Sequence, residues 1–266
     1  MSINMKPPLS YYGGKQLMKK EILPLIPPHK LYCEPFFGGG AIFFAKERSE
    51  IEVINDNNGE LINFYKVVKT QFKELEQEIK VSLSSRELHR KACVIYQYPD
   101  FFTEVARAWA VWVLATQSYG SILGSTWNFS KNTNSPERKT HNKRLASVEQ
   151  YAKRLENTQI ENREAIYTIR SRDSAESFFY VDPPYIGSHQ GHYRGYEKID
   201  FEKLLIQLSE IKGKFLLSSY PFEILAKYAK ENNWHQKKIV KQVCMAGNPK
   251  VKMKTKMEVL TANYEI

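Results

Sequence analysis

The sequence has little cysteine. Its three residues, Cys33, Cys93 and Cys244, lie far apart without the spacing of a metal site. A disulfide scaffold and a zinc finger are excluded, and all three read most simply as small apolar residues. No apolar run reaches the ~20 residues that cross a bilayer. Met1 to Lys6 have no signal-peptide core, so a cytoplasmic protein without a membrane partner is expected. Internal repeats and low-complexity tracts are absent, which excludes a collagen, a coiled coil and a disordered chain. The 266 residues allow one large domain or two small ones. Acid is also scarce: 29 Asp+Glu face 39 Lys+Arg, a net charge of +10 with a pI near 9.3.

The basic excess is clustered. Lys131 to Arg154 holds seven basic and two acidic residues, a net of +5. Lys227 to Lys256 holds nine lysines and one acid, Glu231, a net of +8. Clustered positive charge suits a polyanion, because each phosphate contact releases a counterion. Charge alone fits a solvated lysine-rich surface equally well.

The hydrophobic pattern predicts an α/β sheet. Leu31 to Phe37 reads as a short buried strand running into a turn. Gly38 to Gly40 follow, then a helix-forming stretch from Ala41 to Arg48 and a second strand from Ile51 to Asp56. From Leu61 to Leu155 the pattern is mainly helical. Its polar break, Gly120 to Asn142, is expected to be an exposed loop. Strand character returns at Ser177 to Asp182. Asp200 is placed to cap a helix with Leu204, Leu205, Leu208 and Ile211 on one face. Lys214 to Ser219 is a buried strand, and Pro221 opens a helix reaching about Asn232. Lys237 to Val243 and Met257 to Tyr264 alternate as a terminal antiparallel hairpin. A parallel sheet is thus interrupted once, and the insert is expected to emerge near the carboxyl ends of the strands, where ligands bind.

Two motifs carry chemistry. In Glu34-Pro-Phe-Phe-Gly-Gly-Gly-Ala41, glycines after a strand let backbone approach a ligand closely. The dinucleotide spacing G-x-G-x-x-G is absent, and an acid before the turn disfavours pyrophosphate. A carboxylate there suits an ammonium group. Asp56 ends the next strand, 22 residues after Glu34, where an acid accepts hydrogen bonds from ribose hydroxyls. An ammonium and a ribose together describe S-adenosylmethionine; a tight structural turn is the alternative. The second motif is Asp182-Pro-Pro-Tyr185. Its prolines stiffen the turn and leave the Pro183 carbonyl outside helix bonding. Asp182 and that carbonyl offer two acceptors for the two hydrogens of an exocyclic amino group. Tyr185 offers a flat face for a base. A rigid strand-to-loop turn is the alternative here.

In this order and spacing the motifs resemble the Dam-like DNA adenine-N6 methyltransferases. Tyr11-Tyr-Gly-Gly-Lys15 resembles the family's N-terminal cofactor motif. Glu34, Pro35, Phe36, Phe37, Gly38 and Gly39 resemble its cofactor glycine motif, and Ile54-Asn-Asp56 its ribose-binding acid. Phe179-Tyr-Val-Asp-Pro-Pro-Tyr185 resembles the catalytic motif, with Asp182, Pro183, Pro184 and Tyr185 as catalytic residues and Asp182 also near the cofactor. Phe215 to Ser219 and Met257 to Tyr264 resemble later family strands. One position departs: the family often has Asp before the catalytic strand, and the matching residue here is Glu164, one methylene longer. The resemblance implies a Rossmann-like methyltransferase sheet made of residues 1–64 and 160–266. Residues 65–159 would be an inserted, mainly helical target-recognition domain. It implies S-adenosylmethionine as methyl donor, a flipped-out adenine in double-stranded DNA as substrate, no metal, and a monomer or weak dimer. A bacterial or phage setting, such as restriction-modification, goes with it.

DNA contacts are expected in the insert. Tyr119, Ser121, Trp127, Asn128 and Lys131 are candidates for wedging into the duplex or reading base edges. Arg138, Lys139, Lys143 and Arg144 are candidates for phosphate contacts, and Lys250 to Lys256 could act likewise. Trp109 and Trp112 lie in an apolar helix and read as core. His189 and His192 read as loop residues near DNA. Two rivals stay open: an RNA adenine or protein glutamine methyltransferase, and an inactive DNA-binding protein on the same fold.

Overall fold

The computed structural model describes residues 5–129, 136–186, 195–243 and 254–266. Seven strands form one sheet: β1 (Leu31–Glu34), β2 (Ile51–Asn55), β3 (Thr158–Glu161), β4 (Ser177–Val181), β5 (Lys214–Ser219), β6 (His235–Val243) and β7 (Lys254–Ala262). Their order is β3-β2-β1-β4-β5-β7-β6. β1 to β5 pair in parallel, while β7 runs antiparallel to both β5 and β6. The expected α/β class and terminal hairpin are both present. Successive strands move outward one way from β1 and the other way from β4. The carboxyl ends of β1 and β4 therefore flank the switch point where open α/β sheets bind ligands.

The strand sequences explain the layering. Every residue of β4 is buried, as expected of a parallel strand covered on both faces. Phe178 and Tyr180 enter one core with Tyr32, Ile54 and Leu216. Phe179 and Val181 enter the other with Cys33, Val53, Phe215 and Leu217. This is the period-two alternation of a strand, doubled by cover on each side. Replacing Phe179 by Ala would cost about 3–5 kcal/mol by the usual scale for buried aromatics.

The helices are α1 (Lys19–Ile22), α2 (Gly59–Thr70), α3 (Phe72–Val81), α4 (Arg86–Gln97), α5 (Glu104–Gln117), α6 (Pro136–Arg144), α7 (Glu149–Leu155), α8 (Ala165–Arg172), α9 (Lys198–Glu210) and α10 (Glu223–Glu231). No described helix is long and apolar enough to cross a membrane. Helices α2 to α7 all lie between β2 and β3. Asn58 caps α2 by accepting from the amides of Glu60 and Leu61. Glu60 then grips Arg107 of α5 through two nitrogens. Trp109 and Trp112 are buried in α5, in a core continuous with the sheet. The expected boundaries at 65 and 159 fall inside α2 and β3.

Five local expectations need correction. Ala41 to Arg48 forms successive turns, not a helix. The Phe43 carbonyl accepts from Arg154 of α7, and the Lys46 ammonium reaches into the core to Glu52. Arg154 also grips Glu52 with both terminal nitrogens, so it neutralises a buried acid and is not part of a basic surface. Breaking such a buried trio by removing one partner costs about 3–5 kcal/mol. Helix α6 replaces part of the expected loop, and residues 130–135 of that loop lie outside the described residues. Asp200 is the third residue of α9, not its cap: Glu197 caps, and the Asp200 carboxylate accepts from the Glu197 amide. Helix α10 starts at Glu223, two residues after Pro221. Strand β3, four residues, and helix α8, eight, are too short to stand out in the sequence.

Candidate active site

The acids of both motifs sit at the carboxyl ends of adjacent strands. Glu34 is the last residue of β1 and is fully buried. Its oxygen accepts from the Tyr32 hydroxyl at 2.5 Å. Glu34 makes no ion pair among the described residues. Burial pushes its carboxyl up to about 8, against the Tyr32 hydrogen bond and the nearby Lys46 charge. The glycine turn that follows is closely fitted. Gly38 has φ of 50° and Gly40 of 66°. A β-carbon on Gly40 would lie 2.5 Å from the Phe37 ring.

Asp56 pins this turn: one oxygen accepts from the Gly38 amide at 2.9 Å, the other from the Asn58 amide at 3.0 Å. The Tyr65 hydroxyl donates to the Gly38 carbonyl at 3.0 Å. Asn55, fully buried at the end of β2, donates to the carbonyls of Pro35 and Arg163 and accepts from the Arg163 amide. It ties the ends of β1, β2 and β3 together. Asn162 adds a bond to the Asp56 carbonyl at 2.7 Å. Asn55 and Tyr65 were not expected as site residues.

Asp182 follows β4 directly. Its Oδ1 lies 2.7 Å from Lys15 Nζ, which also donates to the Gly13 carbonyl at 3.1 Å. The same ammonium lies 4.7 Å from the centre of the Tyr185 ring. Burial opposes the Lys15 charge, but its interactions with Asp182, Tyr180 and Glu258 outweigh it, the Asp182 charge first, and hold its pKa above the usual range. Tyr185 packs edge-on against Tyr220 with ring centres 4.5 Å apart.

Two connected spaces join these groups. A cleft of about 580 Å³ at the strand ends is lined by Pro35, Phe36, Asn57, Glu164, Pro184 and Tyr196, among others. Its size is that of small-molecule sites. Glu164, the N-cap of α8, is exposed at this cleft and makes no side-chain cap bond. A smaller hollow runs from Tyr11 and Lys15 past Gly38 and Gly39 to Asp182, with Glu34 in its wall. Phe36 lines both spaces. Tyr11, Lys15, Glu34, Phe36, Phe37, Gly38, Gly39 and Asp182 thus converge, with Pro35, Glu164 and Pro184 at the adjoining cleft.

The candidate DNA residues divide. Tyr119 and Trp127 stand on a short hairpin closed by a bridge between Ser118 and Trp127. The Tyr119 amide donates to the Thr126 carbonyl, and the Asn128 amide to the Gln117 carbonyl. Tyr119 is 67% exposed, which leaves most of a large ring facing solvent. Ser121 sits in the left-handed region with φ of 56°. Trp127 stacks on Phe129 at 5.9 Å, and the Arg86 guanidinium lies over both rings. Arg138 is exposed on α6. Lys143 turns inward, donates to the Pro8 carbonyl at 3.1 Å, and is pushed down to about 8 by burial. Arg144 donates to the Ser82 carbonyl at 3.2 Å. Lys131, His189, His192, Cys244 and Lys250 to Lys252 lie outside the described residues, as does the Lys139 side chain.

Residues 11–254 match the family described as D12 class N6 adenine-specific DNA methyltransferase. The chain belongs to that family. The chain is similar to the type II methyltransferase M.MjaIII of Methanocaldococcus jannaschii, with 28% identity over 85% of this chain and 88% of that protein. It is 27% identical to the type II methyltransferase M1.LlaDCHI of Lactococcus lactis subsp. cremoris, over 69% of this chain and 67% of that one. It is 25% identical to the type II methyltransferase M.CviBI of Paramecium bursaria Chlorella virus NC1A, over 68% and 69%. The chain is therefore an enzyme that methylates adenine N6 in DNA at specific sites, using a methyl donor.

Proposed function

We propose that the turn Asp182 to Tyr185 is the methyl-transfer site for a flipped-out adenine of duplex DNA, and that S-adenosylmethionine is the donor. The observation that carries this reading is the juxtaposition of Asp182, Lys15 and Tyr185 with the glycine turn at one switch point. The residues fit that donor. Glu34 is a buried acid with no ion pair of its own among the described residues, which suits an ammonium, and the adjoining cleft is large enough for a nucleoside. Bound there, S-adenosylmethionine would supply an electrophilic methyl on a sulfonium. Glu34 and the Gly38–Gly39 backbone would hold its amino-acid end. Asn57 and Glu164 would lie beside its nucleoside. Asp56 would act mainly by fixing the Gly38 amide, since both of its oxygens already accept backbone N–H groups.

The remaining steps belong to the chain's own groups. The Asp182 carboxylate and the Pro183 carbonyl would accept the two N–H groups of the adenine amine, which fixes the nitrogen and keeps its lone pair off the ring. Lys15 keeps a cation beside Asp182, so the acid can stay an acceptor despite burial. Tyr185 would stack on the base, which must leave the duplex to reach it. We place target recognition in residues 65–159, with the exposed Tyr119 hairpin entering the duplex and Arg138 on phosphate. Lys143 and Arg144 would act by holding the N-terminal segment and α6 in place. The test is transfer of labelled methyl from S-adenosylmethionine to duplex DNA, with RNA as control. N6-methyladenine at one short DNA sequence is expected; label in RNA alone would overturn the duplex assignment.

A further inference from the structure

We infer that Ser218 and Glu258 are positioning residues that set the Tyr185 ring through its hydroxyl; this rests on the assignment of Tyr185 as the stacking ring. The Tyr185 hydroxyl lies 2.8 Å from Ser218 Oγ and donates to Glu258 Oε2 at 3.4 Å. Ser218 is fully buried on β5. Its partner in the β5–β7 ladder is Leu260, so Glu258, two residues away on β7, is its diagonal neighbour on the same face. Two strands of the antiparallel junction thus reach one phenol oxygen from the same side.

Stacking by itself does not require a hydroxyl, since a phenyl ring has the same π face. A hydroxyl held by two strands adds something a phenyl lacks: a fixed ring angle. Glu258 only accepts as a carboxylate, and Ser218 can donate or accept, so the three groups can all be satisfied at once. Burial, with the charges of Asp182 and Glu258, pushes the phenol well above its usual range, so it keeps the proton it donates. Lys15 over the ring and Tyr220 against its edge hold the near end. Ser218 and Glu258 hold the far end.

A mutant cycle on the full chain tests this. Single-turnover methyl transfer to duplex DNA, cofactor affinity and melting temperature are measured for wild type, Tyr185→Phe, Ser218→Ala and Tyr185→Phe/Ser218→Ala. Tyr185→Phe and Ser218→Ala are each expected to slow transfer about tenfold, equal to about 1.4 kcal/mol. Cofactor affinity should stay within about twofold, because Tyr185 does not line the hollow beside the glycine turn. The double variant should be no slower than Tyr185→Phe, since Ser218 then has no hydroxyl to hold. Ser218→Ala at the wild-type rate, or losses that multiply in the double variant, would overturn the inference. Should Ser218→Ala fail to fold, Glu258→Ala, which removes the acceptor, completes the same cycle with the same expectations. Tyr185→Ala at the wild-type rate would instead overturn the stacking assignment beneath it.

Discussion

Glu34 and Asp182 close neighbouring parallel strands, the first fully buried and the second largely so, and the fold supplies them differently. Asp182 has its own cation, Lys15 at 2.7 Å. Glu34 has a neutral donor, the Tyr32 hydroxyl at 2.5 Å, and burial takes its carboxyl up to about 8. Burial is common to the two; the partner is not. Burial raises the Asp182 carboxyl too, but the resident cation opposes that rise, which suits an acceptor for an amine whose hydrogens need oxygens. An acid without such a cation is left to hold a proton until a ligand brings positive charge. The difference supports the proposed assignment of Asp182 to the neutral adenine amine and Glu34 to the ammonium of the donor.

Apart from changing Asp182 itself, the largest expected effect comes from removing the resident cation. Lys15→Ala should lower methyl transfer about 10²-fold near neutral pH, the scale of losing one charged group at a reacting centre. Without Lys15 the Asp182 carboxyl rises, so the acid limb of the rate profile should move to higher pH and activity should partly recover there. An unshifted limb would separate Lys15 from Asp182 and break the comparison.

Smaller effects belong to Glu34. Below about 8 this carboxyl is protonated in the folded chain, and pairing with an ammonium favours its ionised form. Cofactor binding at pH 7 should therefore release a proton, counted by calorimetry in buffers of different ionisation enthalpy, and Glu34→Gln should abolish that release. Tyr32→Phe should move the pH dependence of binding up slightly, because the lost hydrogen bond favoured the carboxylate. Stability follows the same sign. Between the ordinary 4.5 and about 8 the folded chain holds a proton that the unfolded chain gives up. Glu34's contribution to stability therefore falls as pH rises through that window and is lost above it.

Strands β1, β2, β4 and β5 were legible because they are short, apolar and punctuated by glycine and proline. Ser177 to Asp182 and Lys214 to Ser219 needed no third dimension. The acids and glycines of the site were legible for the same reason, since each ends a recognisable strand. Ala41 to Arg48 misled because its helix propensity ignores Arg154, more than a hundred residues away, which takes the Phe43 carbonyl. Lys143 and Arg154 misled because charge counts do not say which way a side chain points. Asn55, Ser218 and Glu258 lie inside the motifs read from the sequence, yet their roles come from pairings across strands that spacing alone does not give. Tyr119 and Trp127 could be named as candidates, but the hairpin that presents them depends on left-handed backbone at Gly120 and Ser121.

The most direct test is single-turnover methyl transfer at saturating S-adenosylmethionine by Glu34→Gln and Asp182→Asn side by side. Glu34→Gln should approach the wild-type rate once saturated, because its loss lies in binding the donor. Asp182→Asn should stay about 10²–10³-fold slower at any donor concentration, because its loss lies in holding the amine. Equal losses in both variants at saturation, or wild-type transfer by Asp182→Asn, would contradict the division of labour between the two acids.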